Sequence, residues 1–311
     1  MDDFGGFVMP DVLVLAGGGV IGEAWMTGVL GGIEDAARID LRRVEALVGT
    51  SAGSIVAARL VAGRSPRRPR EPLDEVGTAD GADGATAGAA QRLAQGAARW
   101  GWAATAPLAP AAVSVGAPGG ALVRSALLAR APSTGRTLDR LHSEIAGSGA
   151  RFDGRLRVCC VDKRTGRRVV FGAPGAPEAT VADAVVASCA IPWVFSPVRI
   201  GGREYVDGGV WSVTNLDAAP AGRDTEVLCL DPTASLRGGA GATGALRQAL
   251  RVAVAVELQV LRRRGARVRH VGPDPGAAEV MGRDFMATAP ARQVLAAGHR
   301  QGRALVARAE G

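Results

Sequence analysis

A chain of 311 residues is long enough to bury one substantial α/β core, and a hydrophobic content of 47% excludes wholesale disorder. Aromatic residues make only 4% against 44 glycines, so the interior must pack through aliphatic and small side chains. The formal charge of +7 rests almost wholly on arginine, Lys163 being the one lysine; that bias fits either an anionic partner surface or a GC-rich coding sequence.

The opening residues, MDDFGGFVMPD, are acidic and too short in apolar run for a signal peptide, and no window reaches the apolar length of a membrane span. A cytoplasmic protein is the expectation, with peripheral contact to a membrane surface left open. Val12–Ala16 reads as a buried strand of the parallel type. It runs into Gly17-Gly18-Gly19-Val20-Ile21-Gly22, and a helix is expected over about Glu23–Arg38, with Trp25, Val29 and Ile33 at helical spacing. Val44–Val48 is a second short strand. It leads through Gly49-Thr50-Ser51-Ala52-Gly53 into a helix of small and aliphatic residues opening at Ser54–Ala58.

G-x-S-x-G between a strand and a helix is the pattern of a nucleophile elbow. The turn forces the serine into a strained backbone and pushes its hydroxyl outward. Positions two before and two after must be small because strand and helix nearly touch, and Gly49 and Gly53 satisfy that demand. The helix N-terminus aimed at Ser51 favours developing negative charge. The bland alternative is an ordinary glycine-rich turn. The loop Gly17–Gly22 also matches the G-x-G-x-x-G of a dinucleotide site, but such a site needs an acidic residue at the end of the second strand, where this chain has Gly49-Thr50-Ser51. The competing use is an oxyanion hole of backbone N–H groups beside the serine, and this is the favoured reading.

From Arg64 to about Gly88 the texture turns to Pro, Gly, Ala and charge, which reads as an exposed loop; its basic start is Arg64, Arg67, Arg68 and Arg70. Helical texture returns over Ala89–Ala104, which carries Trp100 and Trp102, and again over Ala121–Ala131 and Thr137–Ile145. An insertion around residues 64–120 is placed to roof a site beside the elbow, with the two tryptophans in a lid, at a membrane surface or in the core. Sheet returns with Arg155–Val161 and Arg168–Phe171 flanking a hairpin turn. A helix of small residues over Val181–Cys189 follows, then Phe195–Ile200, a Gly201-Gly202 turn, and Glu204–Val206 running into Asp207-Gly208-Gly209. Glu226–Leu230 and Arg267–Val271 are further strands, and Ala245–Arg264 and Ala291–Ala309 are helices. Cys159, Cys160, Cys189 and Cys229 have no C-x-x-C spacing and sit in apolar segments. They read as buried thiols rather than as disulfides or a metal site, and Cys159 and Cys160 should face opposite sides of one strand. There are no internal repeats and no evident second domain.

Taken together, GGGVIG, GTSAG and DGG, in that order, with ASCAIPWVFSPV over Ala187–Val198, resemble the patatin-like phospholipase family. The resemblance runs from Val12 to about Pro273 and fades over Arg64–Gly120. It implies a three-layer α/β/α fold with a mostly parallel sheet, and hydrolysis of fatty-acyl esters in phospholipids, lysophospholipids or related lipids. It further implies a Ser–Asp dyad without histidine, no metal and no cofactor. By motif position Ser51 would be nucleophile and Asp207 base. Gly18 and Gly19 would supply oxyanion N–H groups, with Gly17, Gly22, Gly49, Gly53, Gly208 and Gly209 shaping the motifs. Where the family usually carries a basic residue this chain has Ile21, which removes a charge that would hold the loop or an anionic headgroup.

The residues support the same chemistry on their own terms. A serine hydroxyl needs a neighbouring base, and a partly desolvated Asp207 gains basicity. D-G-G is also a common turn sequence. His142, His270 and His299 are the ingredients of a rival Ser–His–Asp triad, but none lies in a motif, and each reads as a surface or capping residue. Acyl transfer from the same acyl-enzyme, or a non-catalytic lipid- or nucleotide-binding module, are the alternative functions. No nucleic-acid partner is expected.

Overall fold

The computed structural model describes residues 7–69, 118–235, 242–282 and 284–310. Short apolar runs form the strands β1 Val12–Leu15, β2 Ala46–Thr50, β3 Leu156–Asp162, β4 Arg168–Phe171, β5 Val198–Ile200, β6 Arg203–Asp207, β7 Glu226–Leu230 and β8 Arg267–Val271. They make one sheet of order β5-β6-β3-β2-β1-β7-β8, with β4 paired to β3. The pairs β3–β2, β2–β1, β1–β7 and β7–β8 are parallel, and β4, β5 and β6 join by antiparallel pairing.

Among the described residues, eight helices surround the sheet: α1 Gly19–Ala37, α2 Ala52–Val61, α3 Pro118–Ala129, α4 Asp139–Gly147, α5 Val181–Cys189, α6 Ala242–Arg263, α7 Pro275–Met281 and α8 Ala291–Glu310. Side-chain alternation along the strands divides the core between two faces. Leu13, Leu15 and Leu47 pack with Trp25 and Ile33 of α1 and Val56 of α2, whereas Val12, Val14 and Val48 pack with Leu216 and with Leu261 of α6. The adjacent Cys159 and Cys160 fall into these two opposite clusters, and all four cysteines are free thiols. Helices on both faces of a mostly parallel sheet make the three-layer α/β/α arrangement expected from the motifs.

Several boundaries differ from expectation. Helix α1 begins at Gly19 rather than Glu23, so the second half of the glycine loop is the helix's first turn. Strand β2 lies two residues later than Val44–Val48 and carries Thr50 to the brink of the elbow. Only the last three residues of Phe195–Ile200 are strand, because Ile191–Phe195 turn back on themselves through bonds from the Val194 and Phe195 N–H groups to the Ile191 carbonyl. Helix α7 was not anticipated, although Asp274 caps it and Pro275 occupies its first turn. The helix expected over Ala89–Ala104, Trp100, Trp102, Arg70 and most of the insertion around 64–120 lie outside the described residues. At the insertion's start, Arg67 and Arg68 are not simply solvated. Arg67 pairs with Glu23, and Arg68 bonds both Glu34 and Asp35 of α1, at 2.8 Å each.

Helices α1 and α8 approach backbone to backbone. A Cβ placed on Gly28 or Gly32 of α1 would lie 2.2 Å from the Leu295 carbonyl oxygen or 2.1 Å from that of His299. Placed on Gly298 or Gly302 of α8, it would lie 2.5 Å from the Trp25 carbonyl oxygen or 2.2 Å from that of Val29. Small residues at four-residue spacing on both helices thus admit a contact that no side chain can enter. In an open helix, Gly→Ala stabilises by at most about 1 kcal/mol. Here the clash should win: Gly32→Ala is expected to destabilise by about 3 kcal/mol. Gly147→Ala, where a Cβ meets nothing within 4 Å, should leave the denaturation midpoint near wild type. Equal midpoints for the two variants would contradict the close helix contact.

Candidate active site

The site sits where β1, β2 and β6 end. Ser51 joins β2 to α2 with φ 50° and ψ −122°, a left-handed backbone that costs a non-glycine residue on the order of 1–3 kcal/mol. Steric closeness enforces this turn. A Cβ on Gly49 would lie 2.5 Å from the Ser54 Cα, and one on Gly53 would lie 1.9 Å from the Leu15 carbonyl oxygen. Strand β2, helix α2 and strand β1 therefore touch at the two glycines of G-x-S-x-G. Hydrogen bonds complete the turn. The Ser51 N–H donates to Ser188 Oγ at 2.9 Å, the Ser188 hydroxyl donates to the Cys159 carbonyl at 2.7 Å, and the Ser54 hydroxyl donates to the Ser51 carbonyl at 2.6 Å.

The glycine loop faces Ser51 across the neighbouring strand end. A Cβ on Gly17 would stand 3.6 Å from the Ser51 Cβ, in ordinary contact. The loop is clamped from outside. The Gly17 N–H donates to the Val213 carbonyl at 2.9 Å, and the Ile21 N–H donates to the Phe285 carbonyl at 3.1 Å. Pro232 packs against Gly18 and Gly22 so closely that a Cβ on either would lie 2.8 or 3.0 Å from its ring. Gly19, at φ 59°, is covered by Phe285 and Met286. Among the described residues, no backbone acceptor engages the N–H groups of Gly18 and Gly19. Ile21 is fully buried in the main core, so apolar packing and the Phe285 carbonyl together hold the loop.

Asp207 ends β6. Its N–H donates to the Ala190 carbonyl at 3.0 Å, and its Oδ1 accepts the Gly209 N–H at 2.7 Å. Sheet register sets its position. On β3, Cys159 pairs with Thr50 and the next residue, Cys160, pairs with Asp207, so the residue before Ser51 and the aspartate flank adjacent positions of one strand. Gly208 must be glycine, since a Cβ would lie 2.2 Å from the Cys159 carbonyl oxygen. The carboxyl is 6% exposed, and burial pushes its pKa up to about 7, against the lowering effect of hydrogen bonds from the Gly209 N–H and the Ser51 side chain.

The three histidines lie elsewhere, each beside its own aspartate. His142 Nε2 is 3.1 Å from Asp183, His270 Nε2 is 3.1 Å from Asp231, and His299 Nε2 is 2.7 Å from Asp35. His299 is not a surface residue: it is packed between α8 and α1. Among the described residues, no histidine bonds Ser51 or Asp207, no group of three or more His, Cys, Asp or Glu is arranged to hold a metal ion, and no helix is long and apolar enough to cross a membrane.

Residues that carry no motif letter also build the site. Ser188 lies in the segment ASCAIPWVFSPV but was not singled out by sequence. Glu257 of α6 is buried; its Oε2 accepts the Thr214 hydroxyl at 2.6 Å and the Leu216 N–H at 2.8 Å, and burial pushes its pKa to about 7.

A strained serine, a facing glycine loop and a buried carboxyl thus meet at one end of the sheet. The sequence profile of the patatin-like phospholipase family matches residues 13–220, and the chain belongs to that family. Lipid acyl hydrolysis is the activity that the family carries. Among solved structures, the chain is similar to VipD from Legionella pneumophila, at 16% identity over 93% of this chain and 67% of that one, with a TM-score of 0.37. It is also similar to the type III effector protein ExoU, at 17% identity over 98% of this chain and 54% of that one, with a TM-score of 0.37. The chain thus spans about two thirds of the first and about half of the second. No curated protein matches it.

A carboxyl whose pKa is raised by folding holds its proton in the folded chain where the unfolded chain has released it. Its contribution to stability is therefore full at acid pH and is lost as pH rises from about 4 towards about 7. For Asp207 the upper bound is roughly 4 kcal/mol. Asp207→Asn, which keeps an acceptor for the Gly209 N–H, should raise the thermal midpoint above wild type at pH 8, with the gain shrinking by pH 5. A gain independent of pH, or a loss at pH 8, would contradict a buried carboxyl at this position.

Proposed function

We propose that the chain is a lipid acyl-ester hydrolase acting through a Ser51 acyl-enzyme with Asp207 as its base. The observation that carries this reading is the buried Asp207 carboxyl brought by the β2–β3–β6 register to the end of the sheet where the strained Ser51 stands, close enough for the Ser51 hydroxyl to favour its charged form. Ser51 Oγ attacks the acyl carbon and its proton passes to the Asp207 carboxylate. The carbonyl oxygen, now negative, is received by the N–H groups of Gly18 and Gly19 at the start of α1, with the N-terminus of α2 adding its dipole. The acyl C–O bond breaks, and the departing alkoxide takes the proton from Asp207. Water then attacks the acyl-enzyme, gives its proton to Asp207, and Ser51 leaves with that proton as the free acid forms.

A carboxyl near its ordinary pKa would be a weak base for a hydroxyl, and desolvation supports the role by making Asp207 more basic. Membership of a family of lipid acyl hydrolases supports a lipid or lysolipid as the substrate class. The apolar Ile21 fits a glycine loop that contributes no charge of its own to headgroup selection.

Assay of a short-chain chromogenic ester and of phospholipid and lysophospholipid vesicles tests the reading. Ser51→Ala should abolish turnover with the fold intact. Asp207→Asn should lower kcat by ~10²–10⁴. In wild type the acid limb of kcat/KM should have its midpoint near 7, since the carboxylate form is the active one and is lost as pH falls. Adding a Cβ at Gly18 should cost ~10²–10³ in kcat through a displaced donor. Turnover by purified Ser51→Ala protein equal to wild type would rule the assignment out. Product made only when an acceptor alcohol is added would make the chain an acyltransferase instead.

A further inference from the structure

We propose that Asn215 is a positioning residue that sets the spacing of Ser51 and Asp207 by tying Thr50, immediately before the serine, to Gly208, immediately after the aspartate. The inference rests on the serine–aspartate reading above and assigns that site a residue outside its motifs.

Asn215 is fully buried, in a left-handed backbone with φ 48° and ψ 36°. Its Nδ2 faces three oxygens: Ser212 O at 2.5 Å, Thr50 Oγ1 at 3.0 Å and Gly208 O at 3.3 Å. Its Oδ1 faces a donor, Arg168 Nη1, at 3.3 Å. Three acceptors on one side and a guanidinium on the other fix the orientation of the amide. A carboxylate there would set negative charge against two carbonyl oxygens, and an alanine would take the amide donor from the Thr50 hydroxyl and leave the Gly208 carbonyl held only by the Trp211 and Ser212 N–H groups of its own turn, untied from β2.

The amide is itself immobilised. Arg168 is held by Asp217 through both guanidinium nitrogens, including Nη2 at 2.9 Å. Glu257 of α6 grips the residues on either side of Asn215, the Thr214 hydroxyl and the Leu216 N–H. The Asn215 N–H donates to the Ser212 hydroxyl at 3.2 Å. One amide therefore spans the ends of β2 and β6, which the sheet itself links only through β3. A proton transfer between Ser51 and Asp207 depends on that span, and displacements near 1 Å cost about 10²-fold in rate.

The test uses Thr50→Val, which removes one acceptor at nearly constant shape, Thr50→Ser, Asn215→Ala and the double variant Thr50→Val/Asn215→Ala. Turnover is read across pH, and the Asp207 carboxyl is followed by NMR titration. Thr50→Val should lower kcat about 10- to 100-fold with KM within twofold, and Thr50→Ser should recover most of the loss. Asn215→Ala should lose at least as much, and the double variant should lose less than the product of the two single losses. In both single variants the Asp207 titration should move above its wild-type position, because the carboxylate loses the hydrogen bond from Ser51. Asn215→Ala added to Ser51→Ala should move it no further. General destabilisation would leave this titration in place while lowering the thermal midpoint. Should Asn215→Ala fail to fold, Thr50→Val carries the test alone. Folded variants with wild-type kcat and an unmoved Asp207 titration would overturn the proposal. Turnover surviving in Ser51→Ala would overturn the serine–aspartate reading instead, and the titration would still decide whether Asn215 sets the contact.

Discussion

The backbone of Ser51 is the constraint on which the surrounding structure depends. A left-handed serine persists only where its neighbours over-determine it. Here they do so from three directions. Gly49 and Gly53 let β1, β2 and α2 meet at distances that exclude any side chain, Ser188 fixes the Ser51 N–H, and Ser54 fixes its carbonyl. The Cys159 carbonyl joins these parts, because it accepts the Ser188 hydroxyl and forms the surface against which Gly208 lies. A single peptide group of β3 therefore supports both the turn that holds Ser51 and the turn that follows Asp207.

This arrangement sets stability against reactivity. Asp207 and Glu257 are each buried and each pushed to about 7, so near neutral pH the fold carries two carboxyls that would be more stable elsewhere. Removing such groups from water is costly unless hydrogen bonds compensate. Glu257 receives two donors on one oxygen and in return holds the loop that contains Asn215. The core on either side of the sheet, and the side-chain-free contact of α1 with α8, supply the rigidity against which these unfavourable groups are held. The glycine loop depends on that same rigidity, since it opens α1 and is capped by Pro232, Phe285 and Met286.

The parts of this design that were legible in the sequence are those where sterics leave one residue type. Gly-x-Ser-x-Gly announces an elbow because nothing larger than glycine fits two residues either side of Ser51, and short continuous apolar runs announce a buried parallel sheet. Other features were not legible, and most of them depend on partners distant in sequence. Ser188 lies 137 residues from the N–H it accepts, and Asn215 lies 165 residues from Thr50. His299 is buried because its helix crosses α1 at glycines, which a single-chain pattern cannot pair with those of α8. Glu257 is one charged position on an amphipathic helix, and its burial follows from the loop carrying Asn215, which packs onto it from 41 and 43 residues away. The basic run at Arg67 and Arg68 reads as exposed because their partners, Glu23, Glu34 and Asp35, belong to α1, more than 30 residues earlier. The glycines at the start of α1 hid its true beginning, since glycine is a poor helix former and here is retained for close contact rather than propensity.

The central claim is that one serine, the strained one, is the nucleophile. Its most direct test is to treat the purified protein with a fluorophosphonate probe, digest it, and locate the adduct by mass spectrometry. The account predicts a single covalent adduct on Ser51, absent after denaturation before labelling and much slower to form in Asp207→Asn. An adduct on Ser54, Ser188 or any other serine, with Ser51 unmodified, would contradict it.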